Sequence, residues 1–137
     1  MELNPYLQFN GQCAAAFKFY EQALGGKIVD LRTFGESPMK DQVPSDWHDK
    51  VMHARIVIGN QVLMGSDPPP SNFSKLQGMS MSIMAGSAAE GERIFSALAQ
   101  GATVTMPFAK TFWSPGFGML TDRFGVPWMV NVEAAAA

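Results

Sequence analysis

The stretch CAAAFKFYEQALGGKIV (residues 13–29) returns in altered form as AAEGERIFSALAQGATV (residues 88–104). In both copies an apolar helical stripe runs into a glycine and then into a valine-containing strand pattern. A second similar pair follows, HARIVIGNQVLMGSD (53–67) and GMLTDRFGVPWMVN (118–131). An internal duplication of this length constrains the architecture more than any short motif does.

The first copy contains one clear amphipathic helix. Cys13, Phe17, Tyr20 and Leu24 recur at helical spacing and form an apolar stripe. Gly25 and its neighbouring glycine predict the end of this helix, because glycine adopts the left-handed C-cap conformation without strain. The second copy has the matching pattern, with a capping-box pair of serine and glutamate before the helix and a glycine after it.

Alternating strand patterns surround both helices, and polar residues 35–50 with two prolines predict a surface loop. The predicted strands of the first copy are Tyr6–Phe9, Lys27–Phe34, Val51–Ile58 and Gln61–Ser66. Those of the second copy are Met79–Met84, Thr103–Thr111, Phe117–Thr121 and Val126–Val132. Each copy is therefore a βαβββ module.

Two such modules predict an α+β fold in which they form a curved eight-stranded mixed sheet with helices on the convex face. Residues 1–137 are then a single domain, built from module 1 (1–68), a linker (69–77), module 2 (78–133) and a tail (134–137). The concave side would hold a small molecule, or be filled by side chains or by a second subunit. The residues alone leave these alternatives open.

Composition excludes several classes of protein. A hydrophobic content of 47% and a charged content of 16% are typical of an ordinary globular chain. A net charge of -2 gives no electrostatic reason to expect nucleic acid or an anionic membrane as partner. No apolar run approaches the roughly 20 residues that span a bilayer, and the N-terminus has no signal-peptide pattern. With Cys13 as the only cysteine, we expect a cytoplasmic protein.

Few residues suggest chemistry by themselves. Asp46, His48 and Asp49 form either a small metal-binding patch or an ordinary solvated loop. His53 and Arg55 share one face of a strand and would meet an anionic substrate, although an exposed strand face explains them equally well.

Other residues have a polar or packing role in the prediction. Gln8 lies on the strand face opposite the helix-packing one. Trp113, in a segment rich in glycine and proline, forms either a cavity rim or a subunit contact. Cys13 lies on the apolar stripe and is expected to be a buried structural thiol. Asp122 is expected to fix a turn, and Trp128 to pack in the core.

Three stretches together with the paired modules resemble a known superfamily. They are FYEQALGG (19–26), LMGSD (63–67) and MPFAKTFWSPGFGMLTDRFGVPWMVN (106–131). The chain is similar to the PhnB-like branch of the glyoxalase/bleomycin-resistance/extradiol-dioxygenase (vicinal oxygen chelate) superfamily. This branch often bears the label 3-demethylubiquinone 3-methyltransferase domain. Because the chain has no strand–GxGxxG–helix unit for a methyl donor's nucleotide, we expect no methyltransferase activity.

The resemblance also implies where a metal would bind. Metal-dependent members hold one divalent ion with side chains from the first and fourth strands of each module. Carried onto this sequence, those positions are Asn4 or Pro5, Met64, Ser80 or Met79, and Met129. None is a carboxylate or an imidazole, and thioethers are poor ligands for hard or borderline ions. We therefore predict no metal or other cofactor at the usual position.

The preferred functional hypothesis is a PhnB-like protein that binds a small organic molecule in its concave cavity. An alternative is a metal-dependent lyase, isomerase or dioxygenase whose ligands have moved, for example to Gln8, His53 or Asp67. A further alternative is a structural or regulatory dimer with a vestigial cavity. A homodimer is expected as well, and no catalytic residue is assigned. The predicted substrate-binding residues are Tyr6, Gln8, His53, Arg55, Met64, Ser80, Trp113, Met129 and Asn131.

Overall fold

The computed structural model describes residues 1–134, so most of the predicted tail lies outside the described residues. The chain divides into two compact units, the first ending at Lys75 and the second beginning at Leu76. The first contains module 1 and the second contains module 2. Each module has the predicted βαβββ order, which confirms the α+β fold class.

Module 1 is a four-stranded mixed sheet with one helix. Its strand order is β1-β4-β3-β2, with β1 parallel to β4 and the other pairs antiparallel. The short 3-10 turns Phe34–Glu36, Lys40–Gln42 and Ser45–Trp47 occupy the predicted loop. The elements are β1 (Tyr6–Gln8), α1 (Cys13–Leu24), β2 (Lys27–Thr33), β3 (Val51–Ile58) and β4 (Gln61–Ser66).

Helix α1 covers one face of this sheet. The residues beneath it, including Leu7, Ile56 and Leu63, are buried together with Phe17 of the helix. Gly65 permits the close approach, because a Cβ atom there would lie 3.0 Å from the Phe17 ring and 2.9 Å from a backbone carbonyl. The helix ends as predicted, with glycine C-cap Gly25 in the left-handed conformation at φ 71°.

Module 2 repeats the topology with strand order β5-β8-β7-β6 and β5 parallel to β8. Ser87 caps the helix as predicted, since its hydroxyl accepts the Glu90 N–H at 3.1 Å. The helix ends at Leu98, before the expected stop at Gly101, which follows with φ 74°. The elements are β5 (Met81–Ala85), α2 (Ala88–Leu98), β6 (Thr103–Ala109), β7 (Phe117–Thr121) and β8 (Pro127–Val132).

Two strand boundaries differ from the prediction by two residues, and four others differ by one residue. The fifth strand begins at Met81, so Ser80 precedes it. The sixth ends at Ala109, because the Thr111 N–H turns back to the Ser114 carbonyl at 3.0 Å. Strand β6 is an edge of its sheet and contains Pro107, and its pairing with β7 is irregular on both sides of Met106.

A buried carboxylate joins three parts of module 1. Asp67 Oδ1 accepts the N–H groups of Gly11 at 2.9 Å and Cys13 at 3.0 Å, and Oδ2 accepts the Val51 N–H at 3.0 Å. The Trp47 indole N–H donates to the Asp67 carbonyl at 3.1 Å. One residue thus holds together the start of α1, the start of β3 and the last short turn before it.

We predict that Asp67→Ala destabilises the protein by about 3 kcal/mol or more, because it removes the acceptor from three backbone N–H groups, two of them in buried contacts. Urea unfolding followed by circular dichroism measures the change. Asp46→Ala, in an exposed position of the same module, is the control and should stay within about 0.5 kcal/mol of the parent. Equal stability of the two variants would contradict the role given to Asp67.

Candidate functional site

Each sheet has a face that its own helix does not cover, called here the helix-free face. Residues that pair across neighbouring strands share a face, so the strand register identifies its members. In module 1 one such row runs from Asp30 through Arg55 and Met64 to Tyr6. Arg55 therefore lies on a central strand of the sheet, between Asp30 on one side and Met64 on the other.

Tyr6, at the end of this row, forms a hydrogen-bonded aromatic pair with His53 on the same face. The Tyr6 hydroxyl lies 3.1 Å from His53 Nδ1, and the two rings stack with centroids 5.8 Å apart. Because β4 separates β1 from β3, Tyr6 reaches across that strand to make this contact. Gln8 follows Tyr6 on the same face and is exposed.

Arg55 has a buried donor that is not used. Its Nε atom is buried and has no hydrogen-bond partner within residues 1–134. The carboxylate that faces it in the register, Asp30, instead accepts from Arg32 Nε at 3.1 Å. A guanidinium is always charged, so an unpartnered and buried N–H is costly unless something accepts from it.

The helix-free face of module 2 is apolar at the corresponding positions. One row consists of Met106, Met119, Met129 and Ser82, from β6 across to β5. Three methionines from three adjacent strands therefore lie side by side. Such a surface adapts to many apolar shapes, because methionine is flexible and polarisable.

The neighbouring row contains Phe117, Asn131 and Met84. The Asn131 amide nitrogen donates to Met84 Sδ at 3.7 Å, whereas its Oδ1 is buried and has no partner in the described chain. This face thus contains a buried acceptor without a partner in residues 1–134, next to apolar side chains.

Trp113 reaches the same face from the loop before β7. Its ring contacts Phe117 edge-on with centroids 5.4 Å apart, and Phe112 packs on it at 4.7 Å. Ser114 anchors the loop, because its hydroxyl donates to the carbonyls of Gly116 at 2.6 Å or Val132 at 3.0 Å.

The predicted site residues on strands therefore lie on two helix-free faces, one in each module. Ser80 falls before β5, and Ser82 occupies the place beside Met129. The prediction missed Met84 and Met119, which the alternation of their strands would have revealed. The module 1 group is Tyr6, Gln8, His53, Arg55 and Met64, and the module 2 group is Trp113, Met129 and Asn131.

The donor set does not fit the divalent metal that the superfamily resemblance implies. Met64 and Met129 occupy the fourth strands, and their register neighbours are Tyr6 and Ser82. Within residues 1–134 no three His, Cys, Asp or Glu side chains gather in a way that could hold an ion.

The relocated set is also poorly suited. Both Asp67 oxygens already accept backbone N–H groups, so the one carboxylate of the set is engaged. Burial raises the pKa of the Asp67 carboxyl, against the opposing effects of those backbone donors and of Lys50.

Three residues have the structural roles predicted for them. Cys13 is fully buried, and burial followed by the nearby charge of Asp67 raises the pKa of its thiol, so it remains protonated. Asp122 fixes its turn by accepting the N–H groups of Phe124 at 2.8 Å and Val126 at 3.0 Å. Its other oxygen accepts the indole N–H of the buried Trp128 at 2.8 Å.

Among the described residues, no helix has the length and apolar character needed to cross a membrane.

Comparisons with known proteins agree with this architecture. The model of the 3-demethylubiquinone-9 3-methyltransferase family matches residues 1–131. Protein YjdN of Escherichia coli (strain K12) is 36% identical, over 96% of this chain and 95% of its own length. Protein PA1353 of Pseudomonas aeruginosa is 50% identical with a TM-score of 0.89, over 97% of this chain and 98% of its own.

More distant structures share the fold alone. The PhnB protein from Bacillus cereus is 24% identical with a TM-score of 0.82, over 97% of this chain and all of its own. The fosfomycin resistance protein FosX from Listeria monocytogenes is 7% identical with a TM-score of 0.66, over 98% of this chain and 93% of its own. The predicted resemblance is confirmed: the chain belongs to the 3-demethylubiquinone-9 3-methyltransferase-like (PhnB) family, whose fold is that of the glyoxalase/bleomycin-resistance superfamily.

Proposed function

We propose that this protein binds a small organic molecule through residues of its helix-free faces, without a divalent metal at the usual superfamily position. The observation that supports the proposal is a pair of buried polar atoms, Arg55 Nε and Asn131 Oδ1, that have no partner in the described chain. Leaving such a group unsatisfied costs about 1–3 kcal/mol. A ligand that supplies the missing partners recovers this free energy on binding.

The two atoms require hydrogen-bond partners of different kinds. Arg55 Nε requires an acceptor, and Asn131 Oδ1 requires a donor. The methionines and Phe117 around Asn131 suit an apolar part of a ligand. Each face therefore has its own requirement: a hydrogen-bond acceptor on module 1, and a donor with an apolar part on module 2.

The residues argue against the enzymatic alternatives. Thioethers occupy the carried-over fourth-strand positions, and Asp67, the carboxylate among the relocated ligands, already accepts backbone N–H groups within module 1. The methyltransferase in the family name would need a nucleotide-binding crevice. Each sheet here has only one parallel strand pair, unlike the parallel sheet that forms such a crevice.

The first test is a thermal-shift screen of small organic molecules, because a ligand that binds only the folded state raises the melting temperature. Asn131→Ala should weaken a confirmed ligand about five- to tenfold, the loss of one hydrogen bond. Isothermal titration calorimetry measures the affinities. Asn72→Ala, exposed in the linker, is the control and should bind like the parent. If substitution of Asn131 and of Arg55 leaves the affinity of every ligand unchanged, binding occurs at another site and the proposal is contradicted.

A second test addresses metal content. We expect protein purified without a histidine tag to contain less than about 0.1 equivalent of zinc, nickel, iron or manganese, since the helix-free faces lack a suitable donor set. Mass spectrometry of the elements measures this content. Stoichiometric metal that is lost in His53→Ala, and retained in the matched His48→Ala, would instead support the enzyme with relocated ligands.

One observation favours a dimer as well. Phe112 is 97% exposed beside Trp113, and an aromatic residue in that position is typical of a subunit contact. We propose that the protein works as a cytoplasmic homodimer. If this loop is the contact, Phe112→Ser should weaken self-association about tenfold or more in sedimentation experiments. Met39→Ser, another exposed apolar residue, should leave it unchanged. A monomeric parent protein would refute the dimer.

A further inference from the structure

We infer that the helix-free face of module 1 recognises an oxyanion of the ligand, either a carboxylate or a phosphate or phosphonate group. This inference rests on the proposed function, and it specifies which chemical group of the ligand module 1 binds. It follows from the donors that this face presents, from their neighbours, and from a comparison of the two modules.

Arg55 supplies the first donor. Its Nε–H is buried and unpartnered within the described residues, and the adjacent guanidinium nitrogens complete a planar fork. This fork matches the two oxygens of a carboxylate or a phosphate, so the pair is both charged and directional. A neutral acceptor would satisfy one hydrogen bond but would not balance the charge.

His53 supplies a second donor in one of its two tautomers. When Nδ1 accepts from the Tyr6 hydroxyl at 3.1 Å, the ring proton lies on Nε2. No hydrogen bond is formed by Nε2 with any of residues 1–134. His53 and Arg55 are two residues apart on one strand and share its face, so both donors serve one side of the sheet.

The neighbouring charges favour an anion. Lys27 and Arg32 lie in register positions on the same face as Arg55, and Asp30 is the carboxylate among them. Asp30 accepts from Arg32 Nε at 3.1 Å, which leaves Arg55 Nε without a protein carboxylate. The face therefore has a surplus of positive charge, and one buried donor of it, Arg55 Nε, lacks a partner among the described residues.

Module 2 shows that the fold does not require these donors. By register, Met119 stands beside Met129 as Arg55 stands beside Met64. The same strand position thus carries a thioether in one module and a guanidinium in the other. Packing of the βαβββ module does not explain the arginine, whereas recognition of an anion does.

The test uses the full isotope-labelled chain and three probes of similar shape: benzoate, phenylphosphonate and the neutral benzamide. We expect benzoate or phenylphosphonate to shift the Arg55 Nε–H signal in nuclear magnetic resonance spectra in a saturable way. Benzamide should bind at least about tenfold more weakly, since it lacks the charge. The stronger of the two oxyanions identifies the ligand's acid group.

Two arginine variants separate a specific contact from general charge. Arg55→Gln should weaken the oxyanion about tenfold or more, and Arg55→Lys, which retains charge but not the fork, should give an intermediate loss. Lys18→Gln removes an exposed charge of helix α1, which covers the opposite face of the sheet, and its affinity should stay within about twofold of the parent. Melting temperatures confirm that each variant is folded.

Several results would overturn the inference. An equal loss in Lys18→Gln would mean diffuse electrostatic attraction, and equal binding of benzamide would mean that charge is not recognised. An unmoved Arg55 signal with all three probes would also reject the oxyanion contact. None of these results rejects small-molecule binding itself, which fails only if the broader screen yields no ligand dependent on Asn131 or Arg55.

Discussion

One helix covers one face of each four-stranded sheet, and this constraint determines where chemistry can occur. Side chains alternate between faces, so a residue that packs beneath the helix places its neighbours on the opposite side. Leu7 packs beneath α1, and Tyr6 and Gln8 therefore share the helix-free face. The apolar core of the module and the composition of its candidate site follow from the same alternation.

The sequence predicted the topology because a repeat, a helical stripe and glycine stops agree with one another. It did not predict all of the candidate site, for reasons of register. In β2 the pairing skips Val29, so Asp30 and Arg32 face Arg55 and His53. A bulge of one residue reverses which face each side chain occupies, and no local pattern announces it. Residues 79–82 alternate methionine and serine, so the pattern does not distinguish Ser80 from Ser82. Ser80 precedes the strand, and Ser82 is the residue that pairs with Met129.

The two modules share a fold but achieve close packing at different positions. In module 1, Gly65 on β4 makes room for Phe17 of the helix, opposite Ala54. In module 2 the space comes from Gly118 on β7, where a Cβ atom would lie 2.7 Å from the Phe95 ring. Alignment of the copies therefore reveals topology more reliably than it reveals equivalent side chains.

The irregular edge strand β6 has a consequence for how chains meet. An unbroken edge would present a continuous row of backbone donors and acceptors, which can template cross-β association between molecules. Pro107 removes one donor from that row, and the shifted pairing around Met106 interrupts its spacing. An added strand would therefore meet an interrupted hydrogen-bonding row along β6, which disfavours amyloid-like stacking at this edge.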